Sequence, residues 1–130
     1  TLLDQHGARE NVILAGHRPD VARFLNAADL FVLPSRFEGF SFALLEAAAR
    51  ACPIVTTKVN GIAEFLEDRV HARVVEPEAV PLSDALNWAL DHPQDMRRMG
   101  QAAFTRVQEF TEEKMLKKTV SLLETCAETK

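Results

Sequence analysis

The chain has no tyrosine, one tryptophan and two cysteines among its 130 residues. Cys52 and Cys126 lie far apart, without the closely spaced pairs that mark zinc sites or the larger cysteine sets of disulfide frameworks. We therefore expect two reduced thiols, which is typical of a cytosolic protein.

Long apolar runs are missing as well. No stretch approaches the roughly 20 apolar residues that a membrane-spanning helix needs. The amino terminus lacks the basic and apolar regions of a signal peptide. A soluble, cytoplasmic protein is expected, and peripheral attachment of a longer protein at the inner membrane is left open.

An excess of positive charge is also absent. The formal net charge is −4, and the lysines and arginines are scattered along the sequence, so no nucleic-acid partner is expected. His6, His71 and His92 have no neighbours at metal-ligand spacing, and no metal site is expected. An apolar fraction of 47% with 26% charged residues is ordinary for one soluble globular domain.

Short apolar runs alternate with segments of helical periodicity. The predicted strands occupy residues 11–16, 30–33, 53–57 and 72–75. The predicted helices occupy residues 19–28, 41–51, 62–66, 80–91, 94–108 and 111–126. Continuous apolar strands that alternate with helices predict a three-layer α/β domain of Rossmann type, a parallel sheet with helices on both faces.

The first residues look like the end of a helix. Residues 1–6 have the character of its last turns, and Gly7 stands where a C-cap glycine would. We therefore expect a domain that is truncated at its amino-terminal side.

The segment 34–47 is the most informative for function. A buried strand ends at Pro34, a loop turns at Gly39, and a helix then begins with unpaired backbone N–H groups. The amides of Phe40, Ser41 and Phe42 at such a helix start favour an anion such as phosphate.

Two glutamates bracket this predicted anion site, Glu38 in the loop and Glu46 in the helix. Carboxylates repel phosphate but accept hydrogen bonds from pairs of sugar hydroxyls. Taken alone, a helical glutamate is most often a solvated surface residue. Because Glu46 stands in an otherwise apolar helix and in register with Glu38, we interpret the pair as hydroxyl ligands around a sugar, a diphosphate and a ribose.

The arrangement is a glutamate, seven residues and a second glutamate, with Gly-Phe after the first and Leu-Glu-Ala at the second. Together with residues 24–35, 53–57 and 60–65, it resembles the retaining glycosyltransferases of family 4, also called glycosyl transferases group 1, which have the two-domain GT-B fold. The resemblance implies that residues 1–130 are part of the C-terminal, nucleotide-sugar-binding domain, and many members of the family build cell-envelope polysaccharides.

The resemblance also implies roles for individual residues. Glu38 would be the catalytic residue, in contact with the donor sugar near its anomeric carbon, and Glu46 would bind the ribose. The amides of residues 40–42 would bind the distal phosphate, and Gly39 would leave room for close approach. Backbone groups of Gly16, His17 and Arg18 would meet the nucleobase.

The implied reaction transfers a sugar from a nucleoside diphosphate with retention, without a metal or another cofactor. The basic pair that usually neutralises the diphosphate and the N-terminal acceptor domain both belong upstream of this sequence, so this chain alone is expected to be inactive. The nucleobase, the sugar and the acceptor are not indicated.

Two alternatives stay open. One is a non-catalytic Rossmann-like binding or assembly module that forms a homodimer through the truncated edge of its sheet. The other is a nucleotide-sugar epimerase of the same fold. Two departures from the family pattern also matter for the fold, because Ala51 stands where a glycine is common and residues 68–73 replace a glycine-rich turn.

Overall fold

A computed structural model describes residues 2–128 of the chain. The helices are α1 (Leu2–Gln5), α2 (Val21–Ala27), α3 (Phe42–Ala48), α4 (Ile62–Phe65), α5 (Ala79–Asp91), α6 (Pro93–Val107) and α7 (Glu112–Glu128). The strands are β1 (Phe31–Leu33), β2 (Ile54–Thr57) and β3 (Arg73–Val75). The predicted alternation is therefore confirmed from residue 19 onward.

The three strands form one parallel sheet in the order β1-β2-β3. In register, Leu33 pairs with Thr56 and Thr57 pairs with Val75. The central strand β2 is buried along its whole length, which fits its run of β-branched residues. All three strands end at the same edge of the sheet, where the loops that follow them meet.

Helices cover both faces of the sheet. Neighbouring residues of a strand point to opposite faces, and Ile54 and Val55 of β2 accordingly belong to two different apolar clusters. The first cluster contains buried side chains of α2, α3 and α4, and the second contains those of α5, while α6 contributes to both. The predicted three-layer parallel α/β architecture is confirmed.

Residues 11–16 are not the buried strand that the sequence predicts. The backbone of Val12 is extended, but this segment pairs with no strand among residues 2–128. The side chains of Ile13 and Leu14 are 90% and 78% exposed. The apolar pattern is not sufficient for a strand, because a strand also needs a neighbour to bond with, and none of the described residues supplies one.

The amino-terminal helix is confirmed for the described residues. Gly7 follows α1 with a left-handed φ of 62°, and its N–H donates to the carbonyl oxygen of Asp4, as a C-cap glycine does. Thr1 lies outside the described residues.

Helix α3, which carries Glu46, ends at Ala48, earlier than predicted, and residues 49–51 form a turn. Ala51 adopts a left-handed φ of 52°. The absence of a glycine at position 51 is therefore unfavourable, because a left-handed conformation costs a residue with a Cβ about 1–2 kcal/mol.

The turn before β3 is built without glycine. Arg69 has a φ of 61°, and one carboxylate oxygen of Asp68 accepts hydrogen bonds from the N–H of Val74 (2.8 Å) and from Nε of Arg73 (3.1 Å). The guanidinium of Arg73 lies 4.8 Å above the ring of Trp88 on α5. A carboxylate and a cation-π contact thus fix the last strand at the position where the resemblance implies a glycine-rich turn.

The last helix, α7, leaves its apolar stripe uncovered. Its exposed members are Met115, Leu116, Val120, Leu122 and Leu123. None of the helices in residues 2–128 combines the length and the apolarity that crossing a membrane requires. Both cysteines are free thiols, and burial raises the pKa of the Cys52 thiol.

Candidate functional site

The loop of residues 34–41 joins the end of β1 to the start of α3 and carries most of the predicted site. Its Glu38 is half-buried. One carboxylate oxygen of Glu38 accepts a hydrogen bond from the hydroxyl of Ser35 at 2.7 Å, which leaves the other oxygen without a hydrogen bond from the described residues. The hydroxyl of Ser35 thus orients the carboxylate of Glu38, whose second oxygen can still accept a hydrogen bond.

Two threonines of β2 fix the start of the same loop. The hydroxyl of Thr56 donates to the carbonyl oxygen of Leu33 at 3.0 Å, and the hydroxyl of Thr57 donates to the carbonyl oxygen of Ser35. Both threonines are buried. They tie the backbone that leads to Glu38 to the central strand, and buried hydrogen bonds of this kind restrict the positions a loop can adopt.

The middle of the loop lies against the turn before α4. Gly61 has a φ of 79°, and a Cβ placed on it would stand 1.7 Å from the carbonyl oxygen of Gly39. Only a glycine allows two backbones to approach this closely. Gly39 itself has open space where its own Cβ would be, and its part in ligand binding stays a prediction.

At the start of α3, the amides of residues 40–42 have no hydrogen bond within residues 2–128. Ser41 precedes the helix with extended dihedral angles, and its side chain makes no capping hydrogen bond. The N–H groups of the first turn are therefore not satisfied by the residue that most often caps them. The ring of Phe42 is exposed, and that of Phe40 is partly exposed. The two rings pack edge to face with centroids 6.4 Å apart.

Glu46 lies on the exposed face of α3. Leu44, Ala47 and Ala48 on the other faces of the helix are buried, and the carboxylate of Glu46 makes no hydrogen bond with the described residues. The apolar composition of α3 therefore comes from one buried side, and the exposed side carries the glutamate. This placement suits a hydroxyl ligand, and it is also where a solvated glutamate would lie.

The predicted nucleobase contacts are on a different loop. Gly16, His17 and Arg18 are exposed, and Gly16 has a φ of 65°. The guanidinium of Arg18 pairs with Asp20 at 2.9 Å and lies 5.3 Å from the ring centre of Phe24, and this pairing lowers the pKa of Asp20. Within residues 2–128, no hydrogen bond joins this loop to the loop of residues 34–41, and the assignment of residues 16–18 to the nucleobase stays a prediction.

Two cations lie near the strand ends, Arg36 within the loop of residues 34–41 and Lys58 after β2. Arg36 is exposed, and Lys58, which follows β2, lies 4.0 Å from a carboxylate oxygen of Glu76. The support that Ser35, Thr57 and Gly61 give to the loop was not predicted from the sequence. Of these three, only Gly61 carried a sequence signal, because it follows Asn60 and an Asn-Gly dipeptide often provides a left-handed residue.

Comparison with known proteins identifies the family. The model of the glycosyl transferases group 1 family matches residues 1–106. The alpha-D-kanosaminyltransferase of Streptomyces kanamyceticus is 31% identical over 105 residues, which are 78% of this chain and 27% of that protein. The chain spans about a quarter of the length of the curated relatives that it matches.

Solved structures show the same fold. Anabaena HepE in complex with UDP-glucose superposes with a TM-score of 0.85 at 22% identity, over 95% of this chain and 35% of that one. The C-terminal domain of the group 1 protein LpcC from Francisella tularensis superposes with a TM-score of 0.73 at 24% identity, over 82% of this chain and 57% of that one. The chain belongs to the glycosyl transferases group 1 family, and its fold is that of the C-terminal part of GT-B glycosyltransferases.

Proposed function

We propose that this chain is the donor-binding part of a retaining glycosyltransferase and binds a nucleoside diphosphate sugar at the loop of residues 34–41. The observation that carries the proposal is the half-buried carboxylate of Glu38, oriented by Ser35 next to the free amides at the start of α3. The match to a glycosyltransferase family model over most of the chain favours glycosyl transfer over an epimerase. A relative of the same fold was solved with UDP-glucose, which supports a sugar nucleotide as the ligand class.

In this proposal each predicted residue keeps its role. The free oxygen of Glu38 accepts a hydrogen bond from a sugar hydroxyl, the amides of residues 40–42 bind the distal phosphate, and the carboxylate of Glu46 accepts hydrogen bonds from the ribose. The backbone at residues 16–18 contacts the nucleobase. Donor recognition by amides and carboxylates needs no metal ion at these residues.

Catalysis in this proposal needs more than residues 1–130. Positive charge at the diphosphate stabilises the leaving group, whereas Arg36 in the loop is exposed and Lys58 lies 4.0 Å from a carboxylate oxygen of Glu76. The acceptor would bind to another domain of a longer protein. We therefore propose donor binding for this chain, and sugar transfer, in the cytoplasm and for polysaccharides of the cell envelope, for the longer enzyme.

The first test is calorimetric titration of the chain with UDP, GDP and ADP. One of them is expected to bind in the micromolar to millimolar range, and Glu46→Ala is expected to weaken that binding by about 1.5–3 kcal/mol, the usual effect of losing a hydrogen bond to a charged group. Glu124→Ala is the matched control, because Glu124 is an exposed helical glutamate on α7. Equal binding by the parent and Glu46→Ala would show that the ribose assignment is wrong.

A second titration separates the two glutamates. Glu38→Gln is expected to reduce the affinity for UDP-glucose while leaving that for UDP nearly unchanged, because Glu38 is assigned to the sugar. Glu46→Ala is expected to reduce both affinities by the same factor. If Glu38→Gln weakened UDP and UDP-glucose equally, Glu38 would act on the nucleotide or only on the loop.

A second candidate function is assembly with another copy of the chain, favoured by the exposed apolar side chains of Ile13 and Leu14 and by the strand β1 at the edge of the sheet. Unpaired strand edges beside apolar surface promote pairing. Light scattering would then give twice the chain mass of 14.5 kDa. Ile13→Asp is expected to abolish the dimer, and Leu122→Asp on α7 serves as the control. A monomer at high protein concentration would rule this candidate out.

A further inference from the structure

Three phenylalanine rings meet behind the loop of residues 34–41, and we call Phe40, Phe65 and Phe110 the aromatic cluster. Phe40 comes from the loop, Phe65 from α4, and Phe110 from the junction between α6 and α7. The ring of Phe40 lies 6.4 Å from that of Phe65 and 6.1 Å from that of Phe110, and the last two are 5.0 Å apart and edge to face. These separations are those of favourable aromatic pairs.

Arg106 on α6 fixes two members of the aromatic cluster. Its guanidinium lies 5.1 Å from the ring centre of Phe110. The same guanidinium donates to the carbonyl oxygens of Phe65 (3.4 Å) and Glu64 (3.3 Å) and pairs with Glu109. One side chain thus joins α4, α6 and the junction residue Phe110, so the surface on which Phe40 rests is itself held in place.

The loop is restrained on its other side by backbone contact. Gly61 lies against the carbonyl group of Gly39, and a Cβ on Gly61 would also come within 3.5 Å of Cα of Phe40. Phe40 is therefore held through its side chain by the aromatic cluster and through its backbone by Gly61. Because both the side chain and the backbone of Phe40 are restrained, few orientations are available to its amide group.

We propose that Phe110 is a positioning residue for the donor site, acting through Phe40 on the direction of the amides of residues 40–42. This inference rests on the proposed function, because those amides are the groups assigned to the distal phosphate. The ring of Phe110 packs against that of Phe40, with centroids 6.1 Å apart, and also against the first apolar cluster. Preorganised donors bind an anion more tightly than mobile ones, since less ordering is required on binding.

The location of the aromatic cluster favours this role over simple core packing. Phe65 is buried, but Phe110 is only half-buried and Phe40 is exposed at 46% of its surface. Phe104, on the same helix as Arg106, is exposed at 37% of its surface, and its ring contacts no other ring among the described residues. A large ring that is packed on the loop yet reaches solvent contributes less to the core than a buried one.

The test compares Phe110→Leu with Phe104→Leu in the full chain, using amide resonances of residues 39–42 and UDP titration by NMR. Phe110→Leu is expected to shift those amides and speed their hydrogen exchange in the absence of ligand. It is also expected to raise the dissociation constant for UDP about two- to tenfold, the range of one aromatic pair. Phe104→Leu is expected to do neither, and Phe110→Tyr, which keeps the ring, is expected to restore both readouts.

The outcomes separate this inference from the proposed function. If the parent bound none of UDP, GDP and ADP, donor binding by this chain would be wrong, while the ligand-free amide spectra would still decide whether Phe110 positions the loop. Unchanged loop amides in folded Phe110→Leu would overturn the inference. If Phe110→Leu did not fold, Arg106→Gln would replace it, with the same amides expected to shift by a smaller amount and unchanged amides again overturning the inference.

Discussion

Replacing Gly61 by alanine is expected to lower the free energy of unfolding by about 2–5 kcal/mol, measured by urea denaturation. Two costs combine. A left-handed φ of 79° is unfavourable by about 1–2 kcal/mol for a residue with a Cβ. The Cβ would also stand 1.7 Å from the carbonyl oxygen of Gly39, and crowding of a packed site typically costs a further 1–3 kcal/mol, roughly.

Gly16→Ala is the matched control for this prediction. Gly16 has a similar φ of 65°, but nothing lies within 4 Å of the position of its Cβ. Its substitution is therefore expected to show the conformational cost alone, about 1–2 kcal/mol at most. If Gly61→Ala were no more destabilising than Gly16→Ala, the contact with Gly39 would not restrain the loop. That result would also remove one of the two supports of Phe40.

The parts of the fold that the sequence predicts correctly are those fixed by local patterns. β2 has an unbroken β-branched run after Pro53, and α6 begins with proline at its first position, where the missing N–H does not matter. The segment 11–16 has an equally clear apolar run, and it failed as a predicted strand. Its pattern is a property of the segment itself, whereas strand pairing depends on a neighbour that lies elsewhere in space.

The same distinction applies to the candidate site. The spacing of Glu38 and Glu46 around Gly39 could be read directly, because the groups lie on one continuous stretch of chain. The hydrogen bond from Thr57 to the backbone of Ser35 and the contact between Gly61 and Gly39 join segments that are remote in sequence. No local pattern encodes such contacts, so the support of the loop became visible only in the folded chain.

The sequence likewise did not show which phenylalanine side chains are buried. Phenylalanine is among the residues most often buried, yet Phe37 and Phe42 are exposed at 82% and 74% of their surfaces. Phe37 belongs to the loop of residues 34–41, and Phe42 is the first residue of α3. Apolar residues cover much of the surface of any folded protein, so a phenylalanine in a loop indicates its own position only weakly.

Gly100→Ala is expected to destabilise the chain by about 2 kcal/mol, although helix propensity alone predicts a gain of about 1 kcal/mol for this change inside a helix. Gly100 is buried in α6, and its Cβ would stand 2.4 Å from the carbonyl oxygen of Ala51. That oxygen belongs to backbone that cannot rotate away as a side chain can. The helix or the turn after α3 must therefore move, which disturbs a packed interface.

Two companion variants decide whether this close contact is responsible. Gln101→Ala on the exposed side of α6 is expected to change the free energy of unfolding by less than about 0.5 kcal/mol. Ala51→Gly, on the other side of the contact, is expected to stabilise the chain by about 1 kcal/mol, because release of the left-handed strain exceeds the added backbone entropy. A stabilising Gly100→Ala would mean that α6 lies farther from the turn, and that the propensity of the helix outweighs the contact.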